Sequence, residues 1–383
     1  MAEVHRILLF GSQITTGGAQ RVLLDQAEGF HSRGFAVSAA FYYDKDGLLP
    51  VWRRKYPFPI TVLSVYRKGA GIRNLAALPA AIVRFRRLLR EFRPDVLETF
   101  THDANILGMI GAAGLGVPVR VAAHHGQFAR LGKGTKALHR LIVNGPLTSV
   151  CVCVSERARN QAISEGIRAD KLVVIENGVR PIPRDAAARV SLRSALDVRG
   201  KLILTVGRLV PEKAQELLID AIAAPPLSGL SESLKLAIAG EGPRRAFLTE
   251  RIRERDVSDR CALLGNRDDV PALLNAADLF VLCSRTEGMP IAMMEAMSLG
   301  LPVIGTDLEG IRALIGEDAG RIVPVGDVDG LSEAIRWTIS NADEATEMGE
   351  RAAERIRGAF TLEASLTSYL GLFRELRSGK AEG

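Results

Sequence analysis

Two cations and two carboxylates in the second half of the chain have types and spacing that suit a diphosphate-bearing ligand. Gly207-Arg208 closes an apolar run at 202–206, and Lys213 follows five residues after Arg208, where a helix signal begins. Arg offers phosphate oxygens a bidentate fork and Lys a point charge, so two fixed cations at one strand's carboxyl end can hold a diphosphate. Further on stand Ser284, Glu287, Gly288, Met289, Pro290, Ile291 and Glu295. Proline is favoured at the first helical position, which predicts a helix starting at Pro290 with Gly288 just outside. Its first free N–H groups form an anion site. Glu287 then stays in the loop, while Glu295 lies about 7.5 Å along the helix axis at 1.5 Å per residue. The two carboxylates therefore address different parts of an elongated ligand.

Other phosphate and metal signatures fail on spacing. No G-x-G-x-x-G follows the first strand; Gly11 is followed by the pair Gly17-Gly18. The segment from Gly126 to Lys133 resembles a P-loop but has one residue too many, and Gly134 stands where Ser or Thr should bind magnesium. Asp44-Lys45-Asp46 and Asp327-Val328-Asp329 have D-x-D spacing in turn contexts, the second capping a helix near Leu331. No metal site is expected.

These residues need a scaffold, and the apolar pattern supplies one. Runs at 7–10, 37–42, 60–65, 96–100, 119–123, 150–154 and 172–175 predict strands, alternating with amphipathic stretches such as 19–32, 75–92 and 155–165. Near-continuous apolar strands between helices mean a parallel sheet covered on both faces. After a turn-rich linker at 175–190 the pattern restarts at 202–206, 234–239, 261–264, 279–282 and 302–304. The fold class is α/β, with two Rossmann-like doubly wound domains facing each other across a cleft. Ligands of such sheets bind beyond the strands' carboxyl ends. The expected domains are 1–180, rejoined by a C-terminal helix at 360–383, and 181–359.

With these segments in place the chain resembles the retaining glycosyltransferases of the GT-B fold, specifically the family four group, over nearly its whole length. Gly17-Gly18-Ala-Gln-Arg21 resembles that family's glycine loop, 207–213 (GRLVPEK) its arginine–lysine pair, 239–243 (AGEGP) its second-domain turn and 287–307 its most diagnostic segment. The resemblance implies that Arg208 and Lys213 hold the donor diphosphate and that Glu295 binds the ribose. It also implies that Glu287 contacts the transferred sugar, that Gly17 and Gly18 present backbone to the phosphate, and that Gly288, Met289, Pro290 and Ile291 line the donor. The active-site histidine falls in RVAAHHGQ, where His125 is chosen over His124. His102, Asp103 and His124 are expected on the acceptor side, and the catalytic set is His125, Arg208, Lys213 and Glu287. The co-substrate is a nucleoside-diphosphate sugar, with no cofactor and no metal. Two departures stand out. Asp307-Leu-Glu309-Gly310 replaces a common glycine pair, and Ala214 follows Lys213 where glycine is common.

The net charge of +6 hides a division. Residues 1–180 carry 25 Lys/Arg against 13 Asp/Glu, a net of +12, which leaves −6 for the remainder. Residues 52–93 hold eleven bases and the single acid Glu91. Between 75 and 92 the apolar positions Leu75, Leu78, Ile82, Phe85, Leu89 and Phe92 alternate with Arg84, Arg86, Arg87 and Arg90. A basic amphipathic helix of this kind can touch anionic lipid, although an ordinary sheet-covering helix explains the apolar stripe. The expected partners are an NDP-sugar donor, a lipid-linked or glycan acceptor and an anionic membrane surface. Nucleic acid is not expected, since aromatic residues are only 5% and no stacking platform is evident. Four cysteines without a C-x-x-C pair and no membrane-spanning run point to a cytoplasmic protein, peripheral on the membrane's cytoplasmic face. The stretch 104–119, broken by four glycines, reads as a buried helix and turn. Two rival readings are a nucleotide-sugar 2-epimerase of the same fold and a non-catalytic peripheral membrane protein with a residual nucleotide site.

Overall fold

The computed structural model describes residues 3–63, 78–125, 132–228 and 234–379. The chain forms two compact units, Met1–Asn177 with Leu362–Gly383, and Gly178–Thr361. The expected end of the strand at 60–65, the start of the helix at 75–92, the cations Arg67, Lys68 and Arg73, and most of the P-loop-like segment lie outside the described residues.

The first unit is built on seven strands: β1 Arg6–Ile14, β2 Ala36–Asp44, β3 Ile60–Val62, β4 Val96–Phe100, β5 Val119–His124, β6 Val150–Cys153 and β7 Leu172–Val174. All pair in parallel in the order β3-β2-β1-β4-β5-β6-β7. The second unit repeats the plan with β8 Lys201–Val206, β9 Leu234–Ala239, β10 Cys261–Gly265, β11 Leu279–Leu282, β12 Val303–Thr306 and β13 Arg321–Val323, in the order β10-β9-β8-β11-β12-β13. In each sheet the strand order reverses once, between β1 and β4 and between β8 and β11. Those are the points where a doubly wound sheet opens a crevice beyond its strand ends. The central strands are apolar because helices cover both faces: Ile7, Leu8, Leu9, Ile203 and Leu204 have no exposed surface. Several helices start on a side-chain cap. Ser155, Asp185 and Asp327 accept from the N–H groups of Ala158, Ala188 and Gly330 respectively, each three residues on.

The structure differs from the sequence reading at several ends. Strand β13 was not among the expected strands, because three residues beginning with an arginine give no periodic signal. Strand β12 starts at Val303, after Pro302, which has no N–H to offer the ladder. The C-terminal helix is Leu362–Ser378, and the chain crosses between units at Asn177/Gly178 and Thr361/Leu362. The two crossing segments pair with each other, Val179 N–H donating to Phe360 carbonyl at 2.9 Å. That helix is fastened to the first unit by Ser365 Oγ, which donates to Glu176 carbonyl (2.9 Å), and by an Arg377–Asp95 ion pair.

Beneath it lies a buried carboxyl. Glu98, on central strand β4, has no exposed surface and sits between Gln26 and Tyr369. In the amide orientation that satisfies both groups, Gln26 Nε2 donates to Glu98 Oε1 and Oε2 at 3.3 and 3.2 Å. Burial pushes the Glu98 carboxyl up to about 8, with the Tyr369 hydroxyl pulling weakly the other way.

Several of the cations in 52–93 serve the fold itself. Arg53 Nε donates to Ile60 carbonyl (3.1 Å) and Arg84 Nη1 to Leu63 carbonyl (2.8 Å). Arg86 Nη1 donates to the Gly111 and Ala113 carbonyls at 3.0 and 2.8 Å, closing the end of the helix His102–Ala112. These three arginines keep their charge, but each also has a structural use.

Candidate active site

In the second unit the predicted residues meet where β8 and β11 end side by side. Arg208 leaves β8 exposed and makes no ion pair among the described residues. Its backbone is fixed by buried Gln215, whose Nε2 donates to the Arg208 carbonyl at 2.9 Å. The chain then makes a short turn, Pro211–Lys213, and starts a helix at Gln215. Ala214 joins the two at φ 48°, ψ 36°. This left-handed conformation costs a residue with a Cβ roughly 1 kcal/mol and explains why glycine suits the position. The Lys213 side chain runs back over Gly207, its Cε 3.6 Å from where a Cβ on that glycine would stand.

Lys213 Nζ pairs with Glu287 Oε1, and Ser284 Oγ donates to the same oxygen at 2.6 Å. Ser284 is itself held by Thr306 Oγ1, which donates to its carbonyl at 2.6 Å. The loop after β11 is tied to the 212–216 segment by Arg285 N–H on Glu212 carbonyl (2.7 Å) and by Arg285–Glu216 (3.1 Å). The turn 239–243 closes the other side. Gly207 N–H donates to Ala239 carbonyl and Leu209 N–H to Glu241 carbonyl, both at 2.9 Å. Gly240, at φ +142°, lies so close that a Cβ would be 2.0 Å from Gly207 carbonyl oxygen. Only glycine fits there.

The helix carrying Glu295 runs Ile291–Ser298, one residue later than expected. Pro290 has ψ 101°, outside the helical well, and acts as the cap: its carbonyl accepts from Met293 and Met294 at 3.1 Å each. The free amides at this end are those of Ile291 and Ala292, with Met289 before the proline. Glu287 and Met289 are buried, and Glu295 is half-buried on the fifth residue of the helix.

In the first unit Gly17 caps the helix Gly18–Ser32 beyond the end of β1. A Cβ on Gly18 would meet nothing within 4 Å, so the protein's own packing does not demand glycine there. His102 and Asp103 open the helix after β4, and His124 and His125 stand at the end of β5. The two neighbours differ sharply. His125 is half-buried and stacks on Phe100, ring centroids 5.6 Å apart. Burial and nearby His124 pull it down to about 4, so it is neutral at pH 7. His124, expected on the acceptor side, has no exposed surface; the alternation of β5 turns its ring inward, edge-on to His102 at 5.8 Å. It lines no surface.

A fourth histidine, His139, was missed because nothing around it forms a motif. Its ring lies 5.0 Å from His102. Thr99 Oγ1 donates to Asn105 Oδ1 (2.7 Å), which turns Asn105 Nδ2 toward His139 Nε2 at 3.1 Å. Nε2 is then an acceptor and the ring neutral, in line with the lowering of His139 to about 4 by burial and His124. His102 is likewise pulled far down, by burial and then by His139. Among the described residues no group of three His, Cys, Asp or Glu side chains is placed to hold a metal ion.

Known proteins share the family and the fold. Residues 191–355 match the family model described as glycosyl transferases group 1, and residues 16–181 the model of glycosyltransferase family 4. The chain is 30% identical to the lipopolysaccharide core biosynthesis glycosyltransferase LpsE of Rhizobium meliloti over 359 residues, 93% of this chain and 95% of that one. This chain belongs to the family 4 glycosyltransferases. It is also 30% identical, over 67% of its length and 69% of the relative's, to the UDP-Gal:alpha-D-GlcNAc-diphosphoundecaprenol alpha-1,3-galactosyltransferase of Escherichia coli. The structure of Anabaena Alr3699/HepE in complex with UDP and glucose superposes with a TM-score of 0.84 at 21% identity, covering 97% of this chain and all of that one, and shows the shared GT-B fold.

Within this glycosyltransferase, Gln215, Thr306 and His139 are the residues that sequence reasoning missed. Ser284 lay inside the quoted segment without a role. A serine three residues before the loop glutamate was the one available signal; the others act across the fold.

Proposed function

We propose that this glycosyltransferase moves a sugar, with retention of anomeric configuration, from a nucleoside-diphosphate sugar to a hydroxyl of a lipid-linked or glycan acceptor. The observation that carries the reading is the Lys213–Glu287 pair at the β8/β11 switch point, beside exposed Arg208 and the open amides of Ile291–Ser298. In sugar transfer a nucleoside diphosphate departs as the anomeric carbon becomes cation-like. Donors already aimed at the departing oxygens stabilise that charge without reorganising. Arg208 and Lys213 take the diphosphate, joined by the amides around Met289 and Ile291. Glu295 takes the ribose and Glu287 a hydroxyl of the transferred sugar. In this reading His125 acts on the transferred sugar as a neutral ring, and His102 and Asp103 serve the acceptor. Attack comes from the face the diphosphate leaves, whose phosphate oxygen accepts the acceptor's proton. The two cations supply the charge that a metal supplies at other phosphate sites.

A lipid-linked acceptor is supported by the E. coli relative, whose name specifies a diphosphoundecaprenol substrate. The first unit also exposes apolar side chains among cations: Val83 is 65% exposed between Arg84, Arg87 and Arg90, and Leu141 is 70% exposed beside Arg140. Docking on anionic lipid would draw about 1 kcal/mol from each cation near the surface. No helix among the described residues is long and apolar enough to cross a membrane.

Calorimetry with UDP-, GDP- and ADP-sugars, followed by product analysis with extracted lipid acceptors, tests the reading. A product with inverted anomeric configuration, or isomerisation of the donor without an acceptor, overturns it. Vesicles containing anionic lipid test the membrane side; binding that is absent or indifferent to salt removes that part.

A further inference from the structure

The ammonium assigned to the diphosphate already has a counterion in its own chain. Lys213 Nζ sits on Glu287 Oε1. At the protein surface such a pair separates at little cost. Here Glu287 is only 8% exposed, and a carboxylate left without donors in such a place is strongly unfavourable. A ligand that draws Lys213 away therefore makes the donors that stay on Glu287 matter more, and Ser284 is one of them. It is fully buried, its Oγ reaches the same Oε1 at 2.6 Å, and its carbonyl is pinned by Thr306 at 2.6 Å. Thr306 belongs to β12, so this support does not depend on the Lys213 segment. The neighbouring Cys283 Sγ approaches Ala214 carbonyl at 3.2 Å, which keeps the lysine turn and the serine loop in register.

We infer that Lys213–Glu287 is a resting counterion pair which the donor's diphosphate opens, and that Ser284 is the positioning residue holding the Glu287 carboxyl group in place while Lys213 changes partner. The inference rests on the assignment of Lys213 to the diphosphate made above. It has an unusual consequence. Glu287 competes with the diphosphate for Lys213 and adds a like charge beside it, so it weakens the binding of a bare nucleoside diphosphate even though it serves the transferred sugar.

Isothermal titration of the full chain with UDP, GDP and ADP separates the possibilities without measuring turnover. In the wild type at least one should bind, and Lys213→Ala should weaken it. Glu287→Gln should tighten the same nucleotide, about threefold or more, since it removes the competing charge. Ser284→Ala should weaken it about tenfold, because Glu287 then holds Lys213 more tightly. In the Glu287→Gln background the same serine change should alter affinity less than about twofold. Should Ser284→Ala not fold, Ser284→Cys keeps nearly the same volume with a weak donor and should fall between.

Equal effects of the serine change in both backgrounds would reduce Ser284 to a structural role and overturn the inference. So would a Glu287→Gln protein that binds all three nucleotides more weakly. Unchanged affinity in Lys213→Ala, or a wild type that binds none of the three, instead removes the donor-site assignment and this inference with it.

Discussion

A Cβ placed on Gly310 would stand 1.8 Å from the carbonyl oxygen of Gly288. The contact is with backbone on both sides, so nothing flexible can yield. It presses the helix Glu309–Ile315 onto the loop that carries Glu287 and leads to the amides of Ile291 and Ala292. The sequence departs from the family's glycine pair here, and the structure shows what that departure touches. The glycine making the contact, Gly310, is retained, while the altered position, Glu309, is exposed in the first turn of the helix.

Gly310→Ala should therefore act on the donor loop more than on the fold. The methyl group must push the Gly288 carbonyl aside by an ångström or more, a displacement that can cost about 10²-fold in kcat/KM. Overpacking should lower stability by about 1–3 kcal/mol. Donor-saturation kinetics alongside thermal melting would check this; wild-type kinetics in a destabilised protein would show that the loop tolerates the shift.

Lys213→Ala should lower kcat by about 10²–10³, as the loss of one preorganised donor to a developing anion does. Lys213→Arg should recover only part of it, since a planar fork does not reproduce a point charge over Gly207. Unaltered turnover in the alanine variant would refute the role.

His125→Ala should reduce kcat/KM by about 10²-fold. Burial and His124 hold its ring neutral down to about 4, so wild-type activity should show no histidine limb between pH 5.5 and 8. The folded state resists protonation there, so below the ordinary histidine value of 6.5 stability should fall as pH drops toward 4. A pH–rate profile with a limb near 6.5 that vanishes in His125→Asn contradicts the neutral assignment.

Glu98 predicts the opposite slope. Its folded-state carboxyl keeps a proton up to about 8, whereas in the unfolded chain it ionises near 4.5. Stability from this group is complete below 4.5 and declines by about 1.4 kcal/mol per pH unit as pH rises toward 8. Glu98→Gln should abolish that decline. Because His125 and His139 tilt the curve the other way at lower pH, the wild-type minus Glu98→Gln difference in melting temperature is the quantity to follow. A flat difference from pH 5 to 8 would show that Glu98 ionises freely beneath Tyr369.

Much of this protein was legible in its residue order. Parallel strands buried on both faces must be apolar almost throughout, so two doubly wound sheets announced themselves as two series of short apolar runs. The 207–213 and 287–295 segments could be singled out because their charges form a set rather than isolated surface charges, and the fold does bring Lys213 and Glu287 together. Local pattern was least reliable at ends: Pro290 turned out to be a cap rather than the first helical residue, and β13 was too short to show. In the basic stretch the residue order showed the charge but not that Arg53, Arg84 and Arg86 also bind backbone carbonyls.

What the tertiary structure alone decided are the contacts made across long separations in the chain. Lys213 and Glu287 are 74 residues apart, and no spacing reveals that they share an oxygen with Ser284. Gly310 against Gly288, His139 beside Asn105, and Glu98 beneath the returning Tyr369 are of the same kind. Side-chain type and periodicity are local properties, set by the geometry of one helix or strand. Whether a charge is countered, or a carboxyl kept protonated, depends on which distant segment packs against it, and only the folded sheets bring those segments together.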